Sequence, residues 1–251
     1  NSDHNGTSTL QYALSEHQGL HIWPRGEFML IALPNPDKSF TATLFAPHQG
    51  VYGFDNVKAD DAEAVTAYFN KYFPDVLPLM PHLTEDFRSN PVGALVTIRT
   101  DPWVGGRVLL LGDAAHAIVP FYGQGMNAGF EDALVLYQMI AEELKNSQEE
   151  RREINLLTTI QNFSKRRIPA TNALAQLCIE HYEDMASNTS STLYLIMKKV
   201  ESIFQMIFPE RFKSLYRMIA FTNIPYHIAV EKSHAHMRWI SSFLLGGVAV
   251  C

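Results

Sequence analysis

The groups that could do chemistry crowd into one stretch: Arg107-Val-Leu-Leu-Leu-Gly112-Asp113-Ala-Ala-His116-Ala-Ile-Val-Pro120-Phe121-Tyr122-Gly123-Gln124-Gly125-Met126-Asn127-Ala128-Gly129-Phe-Glu-Asp132. It opens with a short apolar run, Val108 to Leu111, bounded by Gly112, which predicts a buried strand. Asp113 then falls at the strand's carboxyl end, where open α/β sheets gather their ligands. Pro120 closes a loop, and Gly123-Gln124-Gly125 leads into a predicted helix from Ala128 to Lys145. Its apolar positions Phe130, Leu134, Tyr137, Ile140, Ala141 and Leu144 recur at three and four. A glycine turn feeding a helix amino end favours anions, because unpaired N–H groups and the positive end of the dipole point the same way. Gly123 to Ala128 matches G-x-G-x-x-A. It does not satisfy the dinucleotide fingerprint, which needs a strand directly before it; here the loop Asp113 to Tyr122 intervenes. Alone, the glycines suit a tight turn and a helix cap as well as they suit an anion site.

No side chain in the chain earns a catalytic acid or base role. His116 reads as a structural histidine tying the loop. His234 and His236 are two residues apart with no cysteine or acid cluster, so no metal site is assigned. No G-x-S-x-G or other nucleophile context occurs, which argues against hydrolysis.

The elements that must position the stretch follow from pattern. With 47% hydrophobic and 18% charged residues, the 251-residue chain can bury a core. Its net charge of −6 and scattered basic residues exclude a nucleic-acid partner, and Lys165-Arg166-Arg167 reads as a solvated helix face. Two cysteines, Cys178 and Cys251, make no disulfide framework. Gly26 to Leu33 and Phe40 to Phe45 flank the turn signal Asn35-Pro36-Asp37-Lys38 and predict an antiparallel hairpin. Ile31 and Leu33 share a face, and Phe45 can sit across from them; these residues could simply pack a core. Asp60-Asp61 begins a helix that Pro74 stops, with acids where the dipole prefers them. His82 to Phe87 suggests one or two helical turns. Leu95 to Arg99 is β-branched and predicts a strand. After Asp132 long helical patterns dominate: to Lys145, then Glu149 to Tyr182, broken or kinked near Pro169, then Ser191 to Phe208 and Arg211 to Phe221. Tyr226 follows Pro225; by itself it reads as a half-buried tyrosine with a satisfied hydroxyl.

The stretch G-D-A-A-H-A-x-x-P-x-x-G-Q-G-M-N resembles the second flavin motif of the single-component FAD-dependent aromatic hydroxylases. Its details, with His21-Ile-Trp-Pro-Arg25, Ile31-Ala-Leu-Pro-Asn35, Lys71-Tyr-Phe-Pro-Asp75 and Ile224-Pro-Tyr-His227, are similar to the kynurenine 3-monooxygenase family. The resemblance implies FAD as cofactor and NADPH as co-substrate, with O2 and L-kynurenine as the other reactants and 3-hydroxykynurenine as product. Asp113 would bond a ribityl hydroxyl. Pro120, Gly123, Gln124, Gly125, Met126 and Asn127 would form the rest of the flavin contact, the last two through backbone N–H groups. Leu20, Ile31, Leu33 and Phe45 match lining positions of the substrate pocket. Pro120, Phe121 and Tyr122 would lie near the flavin edge, and Tyr226 would bond the substrate carboxylate. An asparagine of the family matches Asn188, or Ser190 if the match is ungapped.

The family's G-x-G-x-x-G segment is absent here, so the chain reads as the carboxyl-terminal part of a larger FAD monooxygenase fold, inactive alone. The expected class is α+β. A substrate-domain antiparallel sheet with flanking helices spans residues 1–106, and the end of a flavin-binding α/β unit spans 107–146. A helical cap covers 147–239. Residues 240–251 read as the start of a membrane anchor, although the run is short against the ~20 apolar residues of a spanning helix. Trp239, Lys232 and Arg238 flank it as interface residues do. The resemblance places the enzyme at the mitochondrial outer membrane, facing the cytosol. Two alternatives remain: a related flavin hydroxylase of another aromatic acid, or a non-catalytic, membrane-associated or interaction module.

Overall fold

Apolar alternation and turn chemistry build the first element as expected. The computed structural model describes residues 19–57, 60–187, 192–209 and 212–248. By internal contact the chain divides into two units: Asn1–Ala94 with Glu183–Ser191, and Leu95–Tyr182 with Thr192–Cys251. In the first, strands β1 (His21–Pro24), β2 (Met29–Pro34) and β3 (Phe40–Phe45) form an antiparallel sheet in that order. The β2–β3 turn closes through Asn35 N–H to Ser39 O at 2.8 Å, and Asp37 accepts from both the amide and the hydroxyl of Ser39. Lys38 takes the left-handed conformation that ends the turn, φ 69°.

Register decides what each face does. Leu30 pairs with Trp23 and with Leu44, and these three pack on a core of Phe28, Val65, Phe69, Phe73 and Leu83. Helices α1 (Ala62–Tyr72) and α2 (Leu83–Ser89) supply most of it. Asp61 caps α1 by accepting from the Ala64 amide at 3.0 Å. Alternation turns Met29, Ile31 and Leu33 to the opposite face. Phe45 pairs directly with Met29, whereas Ile31 and Leu33 face Thr43 and Thr41. Phe45 therefore sits diagonal to Ile31 on the same face, a correction of one pair to the expected register.

The second unit departs further from expectation. Strands β4 (Val104–Gly105) and β5 (Val108–Leu109) make only a short hairpin. Val108 is 66% exposed, so the predicted buried strand Val108 to Leu111 is neither long nor buried. A strand exists through its ladder, and among the described residues only Val104 and Gly105 pair with this one. Leu95 to Arg99 is likewise no strand: the backbone bonds loop residues instead, Ile98 N–H to Ala117 O and Thr100 N–H to Ala115 O.

Helices then take over: α3 (Asp113–His116), α4 (Gly125–Glu150), α5 (Leu156–Ala186), α6 (Thr192–Ile207), α7 (Leu215–Phe221) and α8 (Tyr226–Val248). α4 is longer than predicted and turned about its axis. Phe130 and Tyr137, two of the apolar positions at helical spacing, are 68% and 70% exposed, while Ala128, Asp132 and Val135 are buried. α5 begins later than Glu149 and runs through Pro169 without a break. Pro169 is exposed, as is Lys165, whose carbonyl the proline leaves without its N–H partner, so water can take that bond. Asn188 and Ser190 lie outside the described residues. Among the described residues no helix is long and apolar enough to cross a membrane. The class is thus mixed: small antiparallel sheets with a dominant helical portion.

Candidate functional site

The turn at Gly112 sets the geometry. Its φ of 57° is left-handed, a conformation glycine adopts without strain. It makes Gly112 the cap of α3, so Asp113 is the first helical residue rather than the cap. No side-chain cap bond forms there, and among the described residues nothing hydrogen-bonds the exposed Asp113 carboxylate. An acid at a helix amino end that does not cap it is left available to a ligand.

The next turn repeats the theme. Pro120, Phe121 and Tyr122 form one 3-10 turn, and Gly123 leaves it at φ 66°. A Cβ at Gly123 would meet no atom within 4 Å, so the space beside this backbone is open. Gln124 is buried and precedes α4, with its side-chain oxygen accepting from Asn127 Nδ2 at 3.0 Å. No side chain caps α4, so its first amides, Gly125, Met126 and Asn127, keep their donors. The first described bond of the helix is Ala128 N–H to Gln124 O. Met126 points to solvent.

Tyr226 joins this group. Its ring is 6% exposed and belongs to a cluster with Ala128, Leu174, Cys178 and Met218, against which Ile118, Val119 and Tyr122 pack. Burial pushes its phenol up to about 12, with Glu131 adding to the shift. Among the described residues none hydrogen-bonds its hydroxyl. Tyr122 also faces His181, at 5.0 Å between ring centroids, and Phe121 faces Tyr182 at 4.6 Å. The flavin-loop residues Asp113 to Asn127 and Tyr226 therefore share one unit. Leu20, Ile31, Leu33 and Phe45 belong to the other, with Leu20 and Leu33 about half exposed.

Beneath the loop lies a buried charge cluster. His116 Nε2 donates to Asp132 Oδ2 at 2.5 Å, and Arg167 Nε donates to Asp132 Oδ1 at 2.6 Å. The Gly112 amide also donates to Asp132 Oδ2, at 3.2 Å. Arg167 completes its donors on Glu131 and the Ala128 carbonyl. Burial raises the Asp132 carboxyl, but the His116 hydrogen bond and the Arg167 charge outweigh it and hold the group below its usual value. His116 is thus a structural residue, as read. Arg167 is not: it is 3% exposed, and only Lys165 and Arg166 of that basic run face solvent. Asp132 and Arg167 went unread as a pair. The available signal was an acid one turn beyond Ala128, on the face of α4 where small residues close against a neighbour.

These residues fit a flavin's polar edge: a free carboxylate, unpaired amides and glycine-lined space. Comparison with known proteins agrees. Residues 82–168 match the family model described as FAD binding domain. A protein named kynurenine 3-monooxygenase from Flavobacterium psychrophilum is 44% identical over 87% of this chain and 46% of its own length. The proteins of that name from Dictyostelium discoideum and Myxococcus xanthus are 40% and 42% identical, over 92% and 86% of this chain and 51% and 44% of theirs. A solved 2,6-dihydroxypyridine-3-hydroxylase from Arthrobacter nicotinovorans overlays with a TM-score of 0.45 at 15% identity, covering 67% of this chain and 46% of that one. The chain spans about half the length of the curated relatives it matches. Most of this chain is thus similar to about half of proteins named kynurenine 3-monooxygenase, and its residues 82–168 match the FAD binding domain model.

Proposed function

We propose that this chain carries the flavin-edge and substrate-closing half of an enzyme that hydroxylates L-kynurenine to 3-hydroxykynurenine with FAD, NADPH and O2. The observation that carries the reading is an Asp113 carboxylate with no described hydrogen bond, next in sequence to Gly112, which packs against α4, a helix whose amino end no side chain caps. It stands in a chain 44% identical to a protein named for this reaction. FAD, when bound, supplies the electron transfer and oxygen chemistry. The chain's own residues bind and position. Asp113 accepts from a ribityl hydroxyl. The amides of Met126 and Asn127 would help hold the flavin, and donors at a helix amino end would favour negative charge on it. Gly123 and Gly125 let that backbone approach closely. Pro120, Phe121 and Tyr122 keep water from the reacting edge. The Tyr226 hydroxyl bonds the substrate carboxylate, with Asn188 or Ser190 as a further contact. Leu20, Ile31, Leu33 and Phe45 form an apolar wall for the aromatic ring.

The test is direct. The complete protein containing these residues is purified and given NADPH, O2 and L-kynurenine; product is measured by mass. A yellow protein that forms 3-hydroxykynurenine supports the reading. NADPH oxidation stimulated by other aromatic acids but not by kynurenine would replace the substrate. For location we propose the mitochondrial outer membrane, on the apolar run from Ile240 and its Trp239 neighbour. Fractionation into the soluble pool would overturn that part.

A further inference from the structure

Asp132 touches neither solvent nor any group proposed to meet flavin, yet it organises the turn that does. Its two oxygens accept from three donors in two segments: Gly112 N–H and His116 Nε2 in the turn around α3, and Arg167 Nε in α5. It is itself a residue of α4, about two turns beyond the helix's amino end. All three charged members are almost fully buried, with side chains 4%, 1% and 3% exposed for His116, Asp132 and Arg167. A carboxylate in that setting is held only while its donors stay in place, because an unpaired buried charge is strongly disfavoured. The donors therefore cannot drift. Gly112 immediately precedes Asp113, and His116 closes the same short turn, so Asp113 is bracketed by two bonds to one carboxylate. The backbone agrees: a Cβ placed on Gly129 would come 4.0 Å from the Gly112 Cα, so α4 and this turn are in close approach. Arg167 fixes the other side by donating to the Ala128 carbonyl. Trp103 lies flat on the His116 ring and limits its tilt.

We propose that Asp132, through His116 and Arg167, is the positioning residue that sets the Asp113 carboxylate against the open amides of α4. This rests on the reading of Asp113 and α4 as the flavin edge. A carboxylate that holds both halves of a ligand's contact in one frame acts through geometry. Losing it leaves Asp113 present but misplaced, and a displacement of about 1 Å suffices to weaken contacts of this kind.

The experiment uses the complete flavoprotein and a double-mutant cycle. Asp113→Ala, Asp132→Asn, His116→Gln and the double variant Asp113→Ala/Asp132→Asn are stripped of FAD and titrated with FAD. Melting temperature and the visible circular dichroism of the bound flavin are measured alongside. Asp132→Asn and His116→Gln are each expected to weaken FAD about tenfold and to alter the flavin dichroism. In the double variant the losses should not multiply, because Asp132 acts through Asp113. If Asp132→Asn does not fold, His116→Gln decides the matter alone. FAD affinity equal to the parent's in a folded His116→Gln protein overturns the proposal, as does full multiplication in the cycle. An unaltered FAD affinity in Asp113→Ala would instead overturn the flavin-edge reading beneath it.

Discussion

Trp103 is stacked on His116, with ring centroids 5.0 Å apart and planes 29° from parallel. Its amide donates to Ser164 Oγ and its indole N–H to the Thr100 carbonyl. The indole is 2% exposed and closes a cluster with Ala115, Val135 and Phe163. Trp103→Ala should cost about 3–5 kcal/mol of stability, the usual range for emptying such a site. Chemical denaturation measures it; a loss under about 1 kcal/mol would mean that the site collapses or was never packed.

Asp113→Ala in the complete protein should weaken FAD by about 1.5–3 kcal/mol, the worth of a hydrogen bond to a charged group. Stability should hardly change, because the exposed carboxylate makes no described bond. Titration of apo-protein with FAD reads the first effect and a melting curve the second. A large drop in melting temperature at constant FAD affinity would show a structural role.

Tyr226→Phe should raise KM for kynurenine while FAD affinity and melting temperature stay put. The ring that packs against Leu174 and Met218 is retained, and the hydroxyl has no described partner to lose. If it bonds the substrate carboxylate, the expected cost is about 1–3 kcal/mol, seen in KM. An unchanged KM in steady-state kinetics would return Tyr226 to the core.

Stability should fall in alkali. Burial pushes the phenols of Tyr68 and Tyr226 up to about 12, against ~10 in an unfolded chain. A folded value above the unfolded one means stability is intact below pH ~10 and is lost as pH rises toward the folded value. Tyr68→Phe and Tyr226→Phe should each flatten that alkaline limb. For Tyr68→Phe the gain is offset at neutral pH by losing the bond to the Tyr52 carbonyl, worth about 1 kcal/mol. Urea midpoints measured from pH 8 to 11 give the profile, and identical slopes in parent and variants would count against buried phenols.

The sheet was legible because local signals agreed with each other. Asn35 to Lys38 carries turn chemistry, and Phe40 to Phe45 alternates, so neighbouring residues alone specify the hairpin. The tight turn at Gly123 and the helix it feeds were legible as residue types, since Gly123 and Gly125 mark a turn leading into a helix start. What escaped depended on partners distant in sequence. Phe130 and Tyr137 sit at helical spacing and still face solvent, because periodicity fixes that a stripe exists and not which side is covered. Leu95 to Arg99 has β composition without a ladder to join. Arg167 looked like one of three surface cations until Asp132, 35 residues earlier, supplied a reason to bury it. Pro169 looked like a break because the exposure of Lys165 was invisible.

The two faces of β2 carry one further consequence. Leu30 belongs to the core beneath the sheet, while Ile31 and Leu33 look the other way. If the proposed function holds, folding and selectivity would draw on separate sets of neighbouring residues in a single strand. Substitution at Ile31 or Leu33 can reshape what the outer face admits while leaving Leu30 and its partners untouched. Inserting or deleting one residue in β2 would instead exchange the faces and send the core set outward. This wall can be retuned one side chain at a time, in nature or in the laboratory, but its length is fixed.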